Sequence, residues 1–314
     1  MAAEEAIVAK NLVKRYGDFE AVRGISFTVK RGEAFALLGP NGAGKTTTVR
    51  MLTTLTSITS GEAYVNGYDV KSESLMVRRS IGLVPDISNL YEELTVEENL
   101  AFTASLYDAP RENVGRLIKE FNLPAKKKFG KLSSGFKRRV TIAAALVHEP
   151  EILFLDEPTN GLDVHSAKAL RALIRELNKR GMTIFLTTHN MIEAETIPQR
   201  VAIMNRGKII AEGTRTELPK LIGKRTRVRL QVEPLSNKLL DALSAYGPTF
   251  DEGDIVITVS DSDAFMAELC RLRGELGFKI LKVSTEAPSI EEVFIELTTE
   301  VPKGGACGCG GCPL

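Results

Sequence analysis

A glycine-rich loop between a predicted strand and a predicted helix limits this chain to a narrow set of folds. The apolar segment Ala34–Leu38 is predicted to be a buried strand, and it leads directly into Gly39–Thr47, with the sequence GPNGAGKTT. Glycines let successive backbone N–H groups converge on phosphate oxygens, and the following helix adds the positive end of its dipole. We therefore expect Lys45 to contact the β- and γ-phosphates of a nucleotide and Thr46 to be a ligand of Mg²⁺. The predicted phosphate-binding residues are Gly39, Asn41, Gly42, Ala43, Gly44, Lys45, Thr46 and Thr47.

Two acidic residues follow another buried strand further along the chain. Ile152–Leu155 is predicted to be that strand, and Asp156 and Glu157 come directly after it. The carboxyl ends of parallel strands meet at one edge of an α/β sheet, where phosphates bind. We therefore expect Asp156 to hold Mg²⁺, and Glu157 to orient or deprotonate the water molecule that attacks the terminal phosphate.

Short apolar strands alternate with helix-like segments over residues 1–222, and Thr183–Thr187 is a further buried strand in this pattern. The alternation predicts an α/β domain with a largely parallel sheet, the sheet domain of a P-loop NTPase. Thr95–Leu106 and Arg111–Phe121 are instead predicted helices, separated by a proline. They indicate a helical subdomain, over about residues 88–145, inserted into the sheet domain.

A different pattern follows and predicts a small C-terminal α+β domain over residues 223–300, with no chemistry of its own. Its predicted elements are the strand Val228–Val232, the helix Asn237–Tyr246, the strand Ile255–Val259, the helix Ala264–Leu276, the strand Phe278–Val283 and the helix Ile290–Leu297. Because free cysteine is usually buried, Cys270 is expected to be an apolar core residue of the second helix.

Residues 301–314 are rich in glycine and are predicted to form a flexible tail. The tail contains Cys307, Cys309 and Cys312, which are three of the four cysteines of the chain. Three thiolates on such a loop can converge on Zn²⁺ or Cu(I) without strain, although a fourth ligand is absent. A mobile thiol tail without a metal is the alternative. The spacing is not that of a disulfide-stapled secreted domain.

Several segments resemble the motifs of ABC-type ATPases. Leu132–Phe136, with the sequence LSSGF, resembles the signature motif of the family, which is usually written LSGGQ. Asn160–Asp163 resembles the D-loop, and His189 resembles the switch histidine that follows a buried strand. Tyr16 resembles the aromatic residue that stacks on adenine. The resemblance covers about residues 7–216, in the order and spacing that the family shows.

This resemblance implies a subunit that binds and hydrolyses ATP with Mg²⁺ and drives separate transmembrane permease subunits. In the family two ATPase subunits, identical or different, face each other head to tail, so that the signature segment of one closes over the ATP of the other. Pro288–Leu297 resembles the closing segment of export-type subunits, which implies export. The site residues implied in this way are Tyr16, Ser133, Ser134, Gly135, Asp163 and His189, the last acting in catalysis with Glu157.

Two positions depart from the pattern of the family. Asp86 lies where the Q-loop glutamine is usual, and Ser134 lies where the signature motif has glycine. An aspartate can still accept hydrogen bonds from the hydration shell of Mg²⁺, so Asp86 is expected at the metal site, but it adds negative charge near the γ-phosphate. A side chain at Ser134 hinders close backbone approach. We therefore expect slow basal hydrolysis.

Net charge and hydropathy limit the classes of partner and the cellular location that we expect for this chain. With 41 Lys and Arg against 40 Asp and Glu, the chain has a net charge of +1, and no nucleic-acid partner is expected. The basic run Lys126–Lys128, together with Lys131, Lys137, Arg138 and Arg139, is predicted to be a solvated surface. No segment is apolar enough to span a bilayer, so we expect a cytoplasmic chain that is peripheral on the inner face of the cell membrane.

Two other functions compete with a transporter subunit. One is an ABC ATPase of translation or DNA repair, but such relatives usually have two nucleotide-binding domains or a long coiled coil, whereas this chain has one glycine loop and no heptad run. The other is a nucleotide-gated scaffold, in which Asp86 and Ser134 have weakened turnover. Measured ATP turnover distinguishes the scaffold from the motor.

Overall fold

The chain divides into two compact units, residues 1–215 and 216–314. The computed structural model describes residues 4–222, 226–251, 253–286 and 288–299. The predicted tail, with Cys307, Cys309 and Cys312, lies outside the described residues. The division falls earlier than the predicted boundary at residue 222, because the 3-10 helix Leu218–Ile222 packs against the helix Ile290–Thr299 of the second unit.

The first unit contains two sheets and the helices that cover them. Its strands are β1 (Glu5–Tyr16), β2 (Phe19–Lys30), β3 (Ala34–Leu38), β4 (Ser60–Val65), β5 (Tyr68–Asp69), β6 (Ile81–Val84), β7 (Ile152–Asp156), β8 (Thr183–Thr188), β9 (Arg200–Asn205) and β10 (Lys208–Thr214). Its helices are α1 (Lys45–Leu52), α2 (Ser74–Ser80), α3 (Val96–Leu106), α4 (Arg111–Glu120), α5 (Ser134–Ala145), α6 (Val164–Lys179) and α7 (Met191–Thr196).

The larger sheet has the strand order β10-β9-β3-β8-β7-β6, and all of its pairs are parallel except that of β9 with β10. The three strands predicted from apolar runs are confirmed as its adjacent members β3, β8 and β7. Every residue of these three strands is buried, which is why the runs show no alternation of apolar and polar residues. Their carboxyl ends lie together and form the edge where Gly39, Glu157 and His189 follow.

A second sheet, antiparallel and of order β2-β1-β4-β5, packs against the first and was not predicted. Strands β1 and β2 form a long hairpin in which Tyr16 pairs with Phe19 across a two-residue turn. The two sheets meet through aromatic rings, since Phe27 of β2 stacks 5.4 Å from Phe35 and 5.8 Å from Phe185. This packing builds the core behind the phosphate loop.

The helical segment predicted between the sheet strands is present as α3, α4, a 3-10 turn at Phe129–Lys131 and α5. Helix α3 begins with a capping box, in which the Thr95 hydroxyl accepts from the backbone N–H of Glu98 and the Glu98 carboxylate accepts from Thr95. Helix α5 begins after Ser133, whose hydroxyl accepts from the N–H of Phe136. The signature-like segment is therefore the amino end of a helix.

The second unit is a small antiparallel sheet with helices, as predicted. Its elements are β11 (Thr226–Glu233), α8 (Asn237–Leu243), β12 (Thr249–Asp251), β13 (Asp254–Val259), α9 (Ser262–Leu276), β14 (Lys279–Glu286) and α10 (Ile290–Thr299), with sheet order β12-β13-β11-β14. The prediction that Cys270 is a core residue is wrong. Cys270 is exposed, because the buried face of α9 is formed by Phe265, Leu269 and Leu272. Within the described residues no helix combines the length and apolarity needed to cross a membrane.

Candidate active site

The glycine loop connects β3 to α1 and holds Lys45 in a buried position. Gly44 has a φ of +106°, and a Cβ there would lie 2.6 Å from the carbonyl oxygen of Ala21, so only glycine fits. The Lys45 ammonium donates to the carbonyl oxygens of Gly39, at 2.8 Å, and Pro40, at 3.2 Å. These contacts bring the amino end of α1 and its lysine to the carboxyl edge of the parallel sheet.

Asp156 and Thr46 lie side by side at this edge. The Thr46 hydroxyl donates to Asp156 Oδ1 at 3.1 Å, and the Thr187 hydroxyl of β8 donates to the same oxygen at 2.5 Å. Burial raises the pKa of Asp156, and the two hydroxyl hydrogen bonds offset that rise only in part. Two of the three predicted metal ligands are thus in contact.

The buried carboxylate of Glu157 contacts both Lys45 and His189. Its carboxylate is 3.1 Å from Lys45 Nζ through Oε1 and 2.8 Å from His189 Nδ1 through Oε2. The backbone of Glu157 has a φ of +48°, which costs of order 1–2 kcal/mol for a residue with a side chain. Its N–H donates to the carbonyl oxygen of Thr187 at 3.1 Å, which stabilises this conformation. The two predicted catalytic residues, Glu157 and His189, are therefore hydrogen-bonded to each other.

Arg138 lies at this site, and the prediction that it belongs to a solvated surface is wrong. It is 7% exposed, because it lies on the face of α5 that packs against the sheet. Its guanidinium donates to the carbonyl oxygens of Pro85, Asp86 and Glu157, at 2.7, 3.0 and 3.4 Å. Lys126 and Lys128 of the basic run are exposed and paired with acids, Lys126 with Glu97 and Lys128 with Glu93. A basic run alone gives no signal that one of its members is turned inward.

Asp86 lies beside this arginine, and its charge adds to the rise that burial causes in the pKa of Asp156. Its Oδ1 accepts from Asn160 at 3.1 Å and is 3.9 Å from the Arg138 guanidinium. Among the hydrogen bonds of the described residues, none joins Asp86 to Thr46 or Asp156. The positive charge of Arg138 partly offsets the negative charge that Asp86 brings to the site, and this reduces one reason to expect slow hydrolysis.

The signature-like segment and the D-loop-like segment are neighbours on the surface. Ser133 and Ser134 are exposed at the start of α5, and a Cβ on Gly135 would lie 2.6 Å from the hydroxyl of Ser166. Asp163 caps α6 by accepting from the backbone N–H and hydroxyl of Ser166. Gly135 therefore permits the close contact between the amino ends of α5 and α6.

Tyr16 lies at the tip of the β1–β2 hairpin and is 48% exposed. The ammonium of Lys14 lies 5.0 Å from the centre of its ring and donates to the carbonyl oxygen of Ser57 at 2.7 Å. One face of the ring is thus supported by a buried lysine. An exposed aromatic ring held in this way has the chemistry to stack on a nucleotide base.

The fold and this site together define a P-loop nucleotide triphosphatase. A family model described as ABC transporter matches residues 22–160. The chain is also 35% identical over 302 residues to the linearmycin resistance ATP-binding protein LnrL of Bacillus subtilis. The match covers 92% of this chain and 97% of that protein. The chain therefore belongs to the ABC transporter family, as an ATP-binding subunit that hydrolyses ATP.

Two further comparisons agree with this assignment. The Nod factor export ATP-binding protein I of Burkholderia lata is 38% identical over 298 residues, which cover 92% of this chain and 95% of that protein. A solved structure, of a dimeric ATP-binding cassette in a post-hydrolysis state with ADP and Pi, superposes with a TM-score of 0.60 at 28% identity. That match covers 66% of this chain and 98% of the cassette. The predicted fold class and the predicted ATPase activity are confirmed.

Proposed function

We propose that this chain pairs head to tail with a second ATPase subunit, closes on MgATP and drives a separate membrane permease in the direction of export. The proposed dimer is supported by the exposure of Ser133 and Ser134 at the amino end of α5. Backbone N–H groups at a helix start, together with serine hydroxyls, favour a phosphate, which the second subunit would supply. Val164 and Ile192, beside the D-loop-like segment and His189, are 79% and 55% exposed and suit a covered face.

Mg²⁺ fits the contact between Thr46 and Asp156. Hard oxygen donors converge there, and a buried carboxylate with a raised pKa is stabilised by an adjacent cation. When bound, the ion would neutralise charge that develops on the phosphates during hydrolysis. Asp86 remains a proposed contact of its hydration shell.

The remaining chemistry falls to side chains of this chain. Glu157 orients the attacking water molecule and accepts its proton, and His189 holds the carboxylate through the Nδ1 hydrogen bond. Lys45 contacts the β- and γ-phosphates, so its ion pair with Glu157 must break when the nucleotide binds. Tyr16 stacks on adenine. Phosphate binding thereby frees the carboxylate that the hydrolysis requires.

The permease is proposed to bind a groove of about 560 Å³ on the first unit. Large apolar side chains are exposed around it, including Ile87 at 83%, Leu106 at 65% and Tyr91 at 54%. An exposed apolar cluster of this kind suits the apolar face of a protein segment. The groove begins next to Asp86, so its occupant would lie beside the Arg138 contacts.

Export is supported by the names of the relatives, one a resistance protein and one an export protein. A peripheral position on the inner face of the membrane follows from such a partner.

The dimer is tested by the rate of ATP hydrolysis at increasing protein concentration, with Mg²⁺ and with excess EDTA. If each site needs residues from two chains, the rate per chain rises with concentration and follows the dimer fraction from light scattering. It falls to background in EDTA. A rate per chain that stays constant while the chain passes from monomer to dimer contradicts the shared site. A background rate at every concentration favours the nucleotide-gated scaffold.

The groove is tested by Ile87→Asp in cells that contain the permease. A charge placed on a buried apolar contact costs several kcal/mol, so co-purification of the ATPase with permease-containing membranes is expected to fall about tenfold or more. Leu235→Asp is the matched control, because Leu235 is an exposed leucine of the second unit. Equal recovery of both variants with the membranes would show that the groove is not the docking site.

A further inference from the structure

The groove proposed for the permease contains a single positive charge. Among the described residues that line it there is no aspartate or glutamate, and Arg78 is the one lysine or arginine. His148 also lines the groove, but burial lowers the pKa of its imidazole, so this side chain is neutral at pH 7. A purely apolar occupant would take water from the Arg78 guanidinium and offer no partner in return, which is unfavourable.

Arg78 lies on α2, is exposed, and is held in place by one residue of a neighbouring segment. Its Nε donates to the hydroxyl of Thr54 at 2.7 Å, and its Nη2 donates to the carbonyl oxygen of Thr54 at 3.4 Å. Thr54 follows the end of α1 by two residues and has a φ of +62°, a conformation that β-branched residues rarely adopt. The two contacts fix the guanidinium before any partner arrives, which favours binding.

One edge of this guanidinium is not used. The group has five N–H donors in a plane, and the contacts with Thr54 use Nε and one N–H of Nη2. In the part of the chain that the structure describes, no ion pair and no other hydrogen bond involves Arg78. The edge between Nη1 and Nη2 has the geometry that binds both oxygens of a carboxylate. An exposed arginine alone is ordinary, whereas this one is fixed, unpaired and set among apolar side chains.

We propose that the permease segment in the groove carries a carboxylate among its apolar residues, and that this carboxylate pairs with Arg78. The inference rests on the proposed role of the groove and adds the chemistry of its occupant, which is an amphipathic segment with an acid opposite Arg78. Apolar contacts, such as those of Ile87 and Leu106, supply affinity. The ion pair sets the register of the segment and rejects one that has a lysine or no charge at that position.

The test compares the recovery of ATPase variants with permease-containing membranes, at a protein concentration below half-saturation of the wild type. Arg78→Gln is expected to lower recovery about tenfold, because a charged, bidentate contact is lost. Arg78→Glu is expected to lower it further, since two carboxylates then face each other. Arg79→Glu is the matched control, because it makes the same charge change at the next residue of α2, which is exposed and does not line the groove. Wild-type recovery of Arg78→Glu would overturn the proposal.

Salt distinguishes an ion pair from an apolar contact. Between about 50 mM and about 500 mM NaCl, recovery of the wild type is expected to fall, because salt screens the pair. Recovery of Arg78→Gln should change little, so the difference between the two proteins narrows. A difference that stays the same at every salt concentration would contradict the ion pair.

The alternative role of Arg78 is to support Thr54 alone. Thr54→Ala removes the hydroxyl acceptor and leaves the charge of Arg78 in place. We expect this variant to keep recovery within about threefold of the wild type, even where its melting temperature falls as far as that of Arg78→Gln. Equal losses of recovery in Thr54→Ala and Arg78→Gln would overturn the proposal, because Arg78 would then act through Thr54 and not on the permease.

A charge exchange locates the partner. Each cytoplasmic aspartate and glutamate of the permease is replaced in turn by lysine, and one replacement is expected to restore the recovery of Arg78→Glu and to lower that of the wild type. If none restores it, the proposal is wrong. Failure of the groove itself is distinguishable, because Ile87→Asp and Arg78→Glu would then both be recovered like the wild type. If only Ile87→Asp loses recovery, the groove is the docking site and the ion pair is not formed.

Discussion

Replacement of Glu157 by glutamine is expected to lower the kcat for ATP hydrolysis by about a hundredfold to ten-thousandfold, which is the usual contribution of a general base. The amide keeps the size of the side chain and can still contact His189, but it cannot accept a proton from water. Steady-state phosphate release with Mg²⁺ measures the effect. Glu176→Gln on α6 is the control, since its carboxylate is half exposed and, among the ion pairs of the described residues, it is paired only with Arg180.

The same variant is expected to bind ATP at least as tightly as the wild type. The Lys45 ammonium loses its ion pair with the carboxylate, so it is free for the phosphates without competition. With hydrolysis blocked, the ATP-closed dimer should accumulate and appear in light scattering at saturating MgATP. An active Glu157→Gln would remove Glu157 from the role of base, and an inactive variant that stays monomeric would contradict the closed dimer.

Much of the catalytic edge could be predicted because its residues follow fully buried parallel strands. Strands such as β3 and β7 are continuous apolar runs, and the residue after each run must lie at the carboxyl edge of the sheet. Gly39 and Asp156 were located by this rule alone. The contact between Glu157 and His189 required more, since strand order places β8 next to β7 and the sequence does not state that order.

The antiparallel sheet was missed because its strands are half exposed and interrupted by irregular register. Strand β1 carries register shifts, and Asn11 within it has a φ of +48°, so its alternation of buried and exposed residues is broken. One signal was available. Gly17 and Asp18 stand between Tyr16 and Phe19, which is a two-residue hairpin turn between two apolar runs.

Arg138 and Cys270 were misplaced for a common reason, which is that composition does not reveal the face of a helix. Arg138 stands between the basic residues Lys137 and Arg139, yet it shares the buried face of α5 with Thr141 and Ala145. Cys270 is a typical core residue by type, yet it follows Leu269 by one position and points away from the core. Residues one apart on a helix differ by about 100° in direction.

Replacement of Arg138 by methionine is expected to have the second largest effect, because one side chain connects three segments of the site. The guanidinium donates to the carbonyl oxygens of Pro85 and Asp86, next to the groove, and to the carbonyl oxygen of Glu157 at the catalytic edge. Methionine fills similar space and donates nothing, so these buried acceptors lose a charged donor. We expect a loss of about 2 kcal/mol or more in the free energy of unfolding, since each unsatisfied group costs about 1–3 kcal/mol.

For a unit of this size that loss corresponds to a fall of about 4–8 °C in melting temperature. The kcat should fall as well, because the carbonyl of Glu157 and the loop at Asp86 lose their common anchor, and Asp86 loses the cation that offsets its charge. Arg139→Met is the matched control, since Arg139 lies one position further on α5, with its guanidinium 5.6 Å from the Phe136 ring. Double replacement with Asp86→Asn separates the two effects. If the charge of Asp86 limits the rate once Arg138 is gone, the double variant regains part of the kcat while its melting temperature stays low. If the kcat of the double variant is no higher than that of Arg138→Met alone, the loss of rate comes from the broken carbonyl contacts.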